Sequence, residues 1–452
     1  MAQQVDVVVI GMGVGGEAVA GQLAEAGLLV VGIESSLVGG ECPYWGCVPT
    51  KMMIRAANLI AETRRVDGMA GHAEVTPDWA PVAARIRDEA TDDWNDQVAV
   101  DRFTSKGGRF VRGHARLAGP GVVEVDGETL EARRGVVLAT GTEPVVPPID
   151  GLEGTPFWTN RDAVEATSVP NSLLILGGGA IGLEFAQVHA RFGADVTVVE
   201  AMDRLLPMEE PEASSLVEAA LTADGISIHT STRATTVRHD GERFTITAGD
   251  HELTVDKLLV AVGRRVNVTD LGLDTVGLAP DTRAVTVDEH MRVGDSIWAV
   301  GDVTGHGAFT HVAMYQAAIA ARDILGRSDP PADYRALPRV TFTDPEVGTV
   351  GLTEADARAA GVQTAVGVAQ VPSSARGWIH EAGNHGLIKL VADTEHGVLV
   401  GATSAGPVGG EVLSPLAVAV HARVPIDALR HMIYAYPTFH RGIEDALRDL
   451  DA

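Results

Sequence analysis

GGECPYWGCVPTK, residues 39–51, holds the only two cysteines of a 452-residue chain. Pro49 suits a first helical turn, and the apolar pattern after it predicts a helix, so Cys47 should lie near a helix N-terminus. The unpaired N–H groups and the helix dipole there favour a thiolate. The segment therefore favours a redox-active disulfide of Cys42 and Cys47. Two buried structural cysteines would not need the flanking glycines and Lys51, and a zinc site would need more Cys or His ligands.

A strand–glycine–helix–strand unit precedes this segment. The β-branched run 5–10 predicts a buried strand, and it leads into GMGVGG, residues 11–16, with the spacing G-x-G-x-x-G. A helical pattern and a second strand follow, and that strand ends in Glu34. Such glycines let the backbone approach a pyrophosphate at a helix N-terminus, and Glu34 is placed to accept from a ribose hydroxyl. The unit predicts a dinucleotide site that includes Gly11, Gly13 and Gly16.

The same unit returns later in the chain. A predicted strand, 172–176, leads into GGGAIG, residues 177–182, and a second strand, 195–199, leads to Glu200. In both copies the acid follows the first glycine by 23 residues. Two dinucleotide sites in one chain are hard to explain by a single NAD-dependent dehydrogenase. The glycines of the second site are Gly177, Gly179 and Gly182.

Other segments predict elements of less specific function. Residues 77–100 predict one polar-rich helix. From about residue 334 the composition changes, and strands near 364–371, 387–391 and 398–404 with helical patterns at 410–422, 426–432 and 441–450 predict a separate α+β domain.

Composition excludes several classes of protein. The net charge of −26 argues against nucleic acid or an anionic membrane as a partner. The first apolar run has no basic region before it and is too short to span a bilayer, so we expect neither a signal peptide nor a membrane segment. Two cysteines in a long chain are not a secreted disulfide scaffold, and we expect a cytoplasmic protein without a metal site.

Together these motifs resemble the FAD-dependent pyridine-nucleotide disulfide oxidoreductases, which include dihydrolipoamide dehydrogenase, glutathione reductase and mercuric reductase. Further matches are ATG at 139–141, VGRR at 262–265 and VGD at 300–302, while DPEV and LTE in the third domain look like the family's dimerisation domain. The resemblance implies an α/β fold with two Rossmann-like dinucleotide-binding domains and a C-terminal α+β dimerisation domain. The implied ranges are FAD-binding 1–150, NAD-binding 151–268, a return to the FAD-binding or central domain 269–335, and dimerisation 336–452.

The resemblance also implies residue roles. Cys47 would face the flavin, and Cys42 would attack a substrate disulfide. Lys51 would lie near flavin N5 and pair with Glu184. The cofactor-binding residues that it implies are Gly11, Gly13, Gly16, Glu34, Gly40, Thr140, Gly141, Gly177, Gly179, Gly182, Glu200, Gly263, Arg264, Gly301 and Asp302.

We therefore expect tightly bound FAD, a homodimer and a preference for NADH over NADPH. Glu200 would accept from a 2′-hydroxyl and repel a 2′-phosphate. Asp203 would add to that repulsion, whereas Arg204 would oppose it. The implied partner is a small-molecule or protein disulfide substrate, or a quinone.

The chain departs from the family near its C-terminus. The family's disulfide reductases carry His-Pro-Thr-x-x-Glu, in which the histidine is the acid–base for thiol exchange in the other subunit. Here Tyr436 stands at the histidine position and Arg441 at the glutamate position. Because a tyrosine is a poor general base near neutral pH, His440 is the other candidate for that role.

Three functions remain open on the sequence. The first is a disulfide reductase for an unfamiliar substrate, with His440 as proton donor. The second is a reductase of quinones or other electrophiles, in which Tyr436 would donate a hydrogen bond to a bound carbonyl. The third is a non-enzymatic redox sensor, for which intact NAD and flavin sites would be unnecessary.

Overall fold

The structure, a computed structural model, describes residues 2–327 and 330–450. The strands are β1 Gln3–Ile10, β2 Val30–Glu34, β3 Arg109–Arg112, β4 Ala115–Gly119, β5 Val122–Val125, β6 Glu128–Leu138, β7 Thr142–Pro144, β8 Ser172–Leu176, β9 Asp195–Val199, β10 Ser227–His229, β11 Ala234–His239, β12 Phe244–Ala248, β13 His251–Val255, β14 Lys257–Val260, β15 Arg264–Val266, β16 Arg292–Gly294, β17 Ile297–Ala299, β18 Pro338–Thr341, β19 Glu346–Gly351, β20 Thr364–Gln370, β21 Leu387–Asp393 and β22 Val398–Gly406. The helices are α1 Val14–Glu25, α2 Glu41–Tyr44, α3 Cys47–Arg64, α4 Ala80–Arg85, α5 Gln97–Ser105, α6 Asn160–Glu165, α7 Ala180–Arg191, α8 Pro211–Ala223, α9 Thr310–Ile324, α10 Glu354–Ala359, α11 Ala375–His380, α12 Gly409–His421, α13 Ile426–His431 and α14 Gly442–Asp449.

The first of two structural units carries the first glycine loop and both cysteines. It comprises Met1–Pro49, Ala84–Val145 and Arg264–Asp333. Its main sheet has the order β16-β17-β6-β1-β2-β3, and β17, β6, β1, β2 and β3 run parallel. Val7 and Val9 face one core, and Val8 and Ile10 face another. Because both faces of this part of β1 are covered, residues 7–10 are a continuous apolar run.

The second unit carries the second glycine loop and the C-terminal region. It comprises Thr50–Ala83, Val146–Gly263 and Tyr334–Ala452. A parallel sheet of order β10-β9-β8-β14 holds the loop, and β11-β12-β13 form an antiparallel sheet. The C-terminal sheet is antiparallel, with the order β18-β19-β22-β21-β20. It contains the three predicted strands and adds β18 and β19, which the sequence pattern did not identify.

The two predicted repeats are present as strand–loop–helix–strand units. Strands β8 and β9 have the predicted bounds. Helices α1 and α7 begin at Val14 and Ala180, directly after the second glycine of each loop. The third glycine of each motif is therefore inside the helix. Close packing there outweighs the low helix propensity of glycine.

The single helix predicted over 77–100 was wrong. The chain forms α4, a π-helical turn at Ile86–Ala90, and then α5 after an irregular loop. Thr91 Oγ1 donates to the carbonyls of Ile86 and Arg87, at 3.0 and 3.2 Å. This local bonding competes with a continuing helix. Asp92, Asp93 and Trp94 then adopt positive φ.

Candidate active site

The first glycine loop is shaped by close packing at its ends and open space in the middle. A Cβ on Gly11, which has φ +92°, would lie 2.3 Å from the Ala139 carbonyl oxygen. A Cβ on Gly16 would lie 1.9 Å from the Gly11 carbonyl oxygen. At Gly13 the nearest atom would be the Cα of Gly40, at 3.9 Å. The first and third glycines thus permit the turn and the helix packing, whereas the second leaves room for a ligand.

The second loop repeats this arrangement. A Cβ on Gly177, at φ +111°, would lie 2.3 Å from the Ala261 carbonyl oxygen, and one on Gly182 would lie 2.2 Å from the Gly177 carbonyl oxygen. A Cβ on Gly179 would meet nothing within 4 Å. The equal spacing of the two sequence motifs therefore corresponds to the same local packing.

The two acids that end the second strands are held in the same way. Glu34 accepts from the backbone N–H groups of Met12 and Ser36, both at 2.7 Å. Glu200 accepts from those of Gly178 and Met202, both at 2.6 Å. Each carboxylate thus binds back to its own glycine loop. Both oxygens of each acid are fixed in place, as a ribose acceptor requires.

The redox segment packs on the first glycine loop. Gly39 donates its N–H to the Met12 carbonyl at 2.7 Å, and a Cβ on Gly40 would lie only 2.9 Å from the Cα of Gly13. Gly39 and Gly40 both have positive φ. Two glycines before the cysteines are therefore needed for backbone conformation and for close approach.

The bulky residues between the cysteines belong to the interior of the first unit. Tyr44 and Trp45 are buried, and their ring centroids are 5.9 Å apart. Burial raises the pKa of Tyr44, and the charges of Asp96 and Glu17 add to this shift. Tyr44 is thus a packing residue at the end of α2, and helix α3 begins at Cys47.

Cys42 and Cys47 are not joined by a disulfide in this structure, so the predicted disulfide is absent from it. Cys42 is half-buried and Cys47 is exposed. The hydrogen bond to Cys47 and then burial raise the pKa of Cys42, and negative charge on Cys47 adds to the effect. The pair is in its reduced, dithiol state. A redox pair must exist in this state as well as in the oxidised one.

One hydroxyl group lies at the exposed cysteine. Thr310 Oγ1, on the first residue of α9, is 3.5 Å from Cys47 Sγ. A hydrogen bond from Thr310 also lowers the pKa of Cys42, against the larger opposing effects of Cys47 and burial. Sequence patterns did not point to Thr310, because it lies 263 positions from Cys47.

Lys51 and Glu184, which the family resemblance pairs, form an ion pair in the second unit. Lys51 Nζ lies 2.8 Å from Glu184 Oε2, and the carboxylate also accepts from the backbone N–H of Phe342 at 2.9 Å. The ammonium group lies 4.6 Å from the centroid of the Phe342 ring. Glu184 is buried, at 7% exposure, and its charge is thus compensated by a cation and an N–H donor.

Asp302 and Arg264 belong to one polar network in the first unit. Thr142 Oγ1 donates to Asp302 Oδ2 at 2.7 Å and accepts from Arg264 Nε at 2.8 Å. Arg264 also lies 3.6 Å from Glu41. Burial raises the pKa of Asp302, while Thr142 and Arg264 oppose this shift. Sequence reasoning missed Thr142 and Glu41, although a charged residue directly before Cys42 was a visible signal.

The remaining predicted cofactor residues lie at strand-to-turn junctions. Gly141, Gly263 and Gly301 have φ of +67°, +123° and +81°. The Gly301 N–H donates to Gln316 Oε1 at 2.7 Å. Thr140 Oγ1 is buried and has no hydrogen-bond partner among residues 2–327 and 330–450. A buried hydroxyl without a partner is costly unless a ligand satisfies it, so Thr140 fits a cofactor-binding position.

The two candidates for the missing acid–base residue have different surroundings. Tyr436 is 70% exposed, and the Arg441 guanidinium lies 5.6 Å from its ring centroid. Arg441 also pairs with Glu444 at 2.8 Å. His440 is half-buried, with Nε2 3.4 Å from Thr438 Oγ1. Both candidates lie in the second unit.

The described residues contain neither a metal-binding cluster nor a membrane-spanning helix. Within residues 2–327 and 330–450, no group of three or more His, Cys, Asp or Glu side chains could hold a metal ion. In the same part of the chain, no helix is long and apolar enough to cross a membrane.

Comparison with known proteins identifies the family. Residues 5–317 match the family described as pyridine nucleotide-disulphide oxidoreductase, and residues 337–447 match its dimerisation domain. The chain belongs to this family. It is 34% identical to a dihydrolipoyl dehydrogenase of Thermus scotoductus, over 98% of this chain and 97% of that relative. It is also 34% identical to a mercuric reductase of Streptomyces lividans, over 97% and 94% of the two chains.

Solved structures agree with this assignment. The HOCl-induced flavoprotein disulfide reductase RclA from Escherichia coli is similar with a TM-score of 0.86 at 27% identity, over 98% of this chain and 99% of that one. The predicted α/β fold class and family are therefore confirmed. The protein is an FAD-dependent oxidoreductase of the disulfide reductase family that uses a nicotinamide nucleotide. The open glycine loops and the unpartnered Thr140 hydroxyl fit these cofactors.

Proposed function

We propose that this protein passes electrons from NADH to the Cys42–Cys47 pair and from there to a disulfide substrate. The observation that carries the proposal is the hydrogen-bonded dithiol next to the first glycine loop. Bound FAD supplies the two-electron acceptor that hydride chemistry requires. Glu34 and Asp302 would hold FAD, and Glu200 would hold the nicotinamide nucleotide.

The chain's own residues account for the exchange step. Cys42 Sγ attacks a substrate disulfide and forms a mixed disulfide, which releases one substrate thiol. Cys47 Sγ then attacks Cys42 Sγ, which closes the Cys42–Cys47 disulfide and releases the second thiol. Since the pKa of Cys42 is raised, a base must take its proton before the attack. We assign this base to the C-terminal segment of a second copy of the chain, with His440 as the first candidate.

The dimer is part of the proposal. The match to a dimerisation domain supports a homodimer. The four domain ranges 1–150, 151–268, 269–335 and 336–452 stay predictions, as does the cytoplasmic location. A monomer with full activity in light scattering would contradict the assignment of the base to a second copy.

Two local contacts support NADH over NADPH. Both oxygens of Glu200 accept backbone N–H groups, which holds a negative charge where a 2′-phosphate would bind. Arg204, the cation that could have neutralised it, donates instead to the carbonyls of Leu206 and Pro207, at 3.0 and 2.7 Å. We expect kcat/KM to be higher with NADH, and an equal or higher value with NADPH would contradict this preference.

A quinone reductase is the second candidate. Tyr436 favours it, because an exposed phenol replaces the family's histidine and can donate to a developing oxyanion. In a disulfide reductase, His440→Ala should slow thiol exchange by about 10²–10⁴-fold while flavin reduction by NADH stays normal. In a quinone reductase, Tyr436→Phe should have the larger effect. Wild-type rates for both variants would exclude either residue as the acid–base group.

The deciding experiment measures turnover with lipoamide, glutathione disulfide, thioredoxin and a quinone. NADH should convert the oxidised enzyme to one with two additional titratable thiols. Cys42→Ser and Cys47→Ser should lose disulfide turnover. If NADH reduces the bound flavin while the cysteine pair stays oxidised, the pair is not on the electron path. Absence of steady NADH consumption with every acceptor would instead favour the redox sensor.

A further inference from the structure

The exposed cysteine has a hydroxyl partner from a distant part of the chain. Thr310 Oγ1 lies 3.5 Å from Cys47 Sγ, within the range for hydrogen bonds to sulfur. Thr310 is the first residue of α9, a 15-residue helix, and Phe309 precedes it as the N-cap. Both Thr310 and Cys47 belong to the first unit.

The direction of this hydrogen bond depends on the charge of Cys47. When Cys47 carries its proton, either atom can donate. A thiolate has no proton to give, so Thr310 must then be the donor. Hydrogen bonds to a charged acceptor are stronger than neutral ones, so the contact favours the thiolate over the thiol. The N-terminal end of α9 favours negative charge in the same direction.

The same hydroxyl also reaches the other sulfur. A hydrogen bond from Thr310 lowers the pKa of Cys42, although the single hydroxyl proton can be donated to only one sulfur at a time. The dominant effects on Cys42 raise its pKa, and the largest of them is the hydrogen bond to Cys47. Cys42 therefore keeps its proton more readily than an ordinary thiol does.

We propose that Thr310 is a positioning residue of the redox pair, which stabilises the Cys47 thiolate by donating its hydroxyl proton. The inference rests on the proposed function, in which Cys47 is the sulfur that closes the disulfide with Cys42. Stabilising the reduced form makes a dithiol–disulfide pair more oxidising. Thr310 would therefore set how readily this pair accepts electrons.

The test uses the holoenzyme with Cys42→Ser, which leaves Cys47 as the single thiol of the chain. In this background, the rate of alkylation by iodoacetamide is measured against pH. Thr310→Val should lower the rate at pH 7 roughly tenfold and raise the midpoint by about one pH unit, the scale of a lost hydrogen bond to a charged group. Thr310→Ser keeps the hydroxyl and should restore both values.

A second measurement uses the intact pair. The equilibrium constant of the Cys42–Cys47 pair with dithiothreitol should shift about tenfold towards the disulfide in Thr310→Val, because its reduced form loses stabilisation. Unchanged alkylation in Thr310→Val, or failure of Thr310→Ser to restore it, would overturn the inference. If the Thr310→Val enzyme loses flavin, the same measurements are made on Thr310→Ala, a substitution that only removes atoms.

These measurements separate the two proposals. Alkylation requires neither NADH nor an acceptor. Suppose that Thr310→Val raises the pH midpoint of alkylation as expected, but Cys47→Ser keeps full disulfide turnover. The proposed function would then be wrong, while the role of the Thr310 hydrogen bond would stand. If Cys47→Ser loses disulfide turnover but Thr310→Val does not change alkylation, the proposed function would stand and the role of Thr310 would be wrong.

Discussion

The two dinucleotide repeats have the same backbone geometry but different neighbours. In both, the middle glycine faces open space and the acid accepts two backbone N–H groups. The first loop has the redox segment against it, where Gly39 bonds to Met12 and Gly40 contacts Gly13. In the proposed function, the same loop geometry would therefore bind FAD at the first repeat, beside the thiols, and the nicotinamide nucleotide at the second repeat.

The largest expected effect is a loss of stability on substituting the third glycine of a repeat, which substitution of the second glycine should not cause. Gly16→Ala should destabilise the protein by at least about 4 kcal/mol and abolish flavin binding, because its Cβ would lie 1.9 Å from a backbone oxygen. Gly179→Ala should keep the parent melting temperature, because its Cβ meets nothing within 4 Å. It should still weaken NADH binding by filling the space that the pyrophosphate needs.

Thermal unfolding, flavin content and KM for NADH measure this contrast. Gly182→Ala is the matched control, since its Cβ would lie 2.2 Å from the Gly177 carbonyl oxygen. It should behave like Gly16→Ala in stability. If the Gly16→Ala enzyme were stable and had a normal flavin content, the third glycine of the first loop would not be required for packing as proposed.

The second effect concerns a core position where the repeats differ. Leu23 lies 12 residues after Gly11, and His189 lies 12 residues after Gly177. Both are fully buried, and burial lowers the pKa of His189 to about 4. In its neutral form Nδ1–H donates to the Phe185 carbonyl at 2.9 Å, and Nε2 has no hydrogen-bond partner among the described residues.

His189 should make the second unit sensitive to acid. Below about pH 6.5 the unfolded chain protonates this histidine and the folded chain does not, so stability falls as pH drops towards 4. The loss should reach about 3 kcal/mol, since each pKa unit corresponds to about 1.4 kcal/mol. His189→Leu, which copies the first repeat, should flatten the dependence of melting temperature on pH between 4.5 and 7. An unchanged pH profile in His189→Leu would exclude His189 as the source.

The smallest effect tests whether the two acids have separate ligands. Loss of a hydrogen bond to a charged group costs about 1.5–3 kcal/mol, so each change to glutamine should weaken one cofactor roughly 10–100-fold. Glu34→Gln should release FAD on dilution while KM for NADH stays near normal. Glu200→Gln should raise KM for NADH while FAD is retained. If either variant impaired both cofactors equally, the repeats would not act as separate sites.

Much of the fold could be predicted because it depends on short spacings. The strand, glycine and acid order of both repeats is local, and strands β8 and β9 have the predicted bounds. Prediction failed where side chains compete with a regular pattern. The Thr91 hydroxyl donates to the carbonyls of Ile86 and Arg87, and the helix predicted from periodicity ends there.

The sequence by itself determined that Cys47 lies near a helix start, and that two glycine loops each carry an acid at equal distance. The tertiary structure decided which distant groups surround these residues. It brings Glu184 to Lys51 across 133 positions and Thr310 to Cys47 across 263. Spacing within a segment follows from helix and strand geometry, whereas such long-range contacts depend on how whole elements pack. Packing therefore decided which groups lie next to the sulfur of Cys47 and which cation compensates the charge of the buried Glu184.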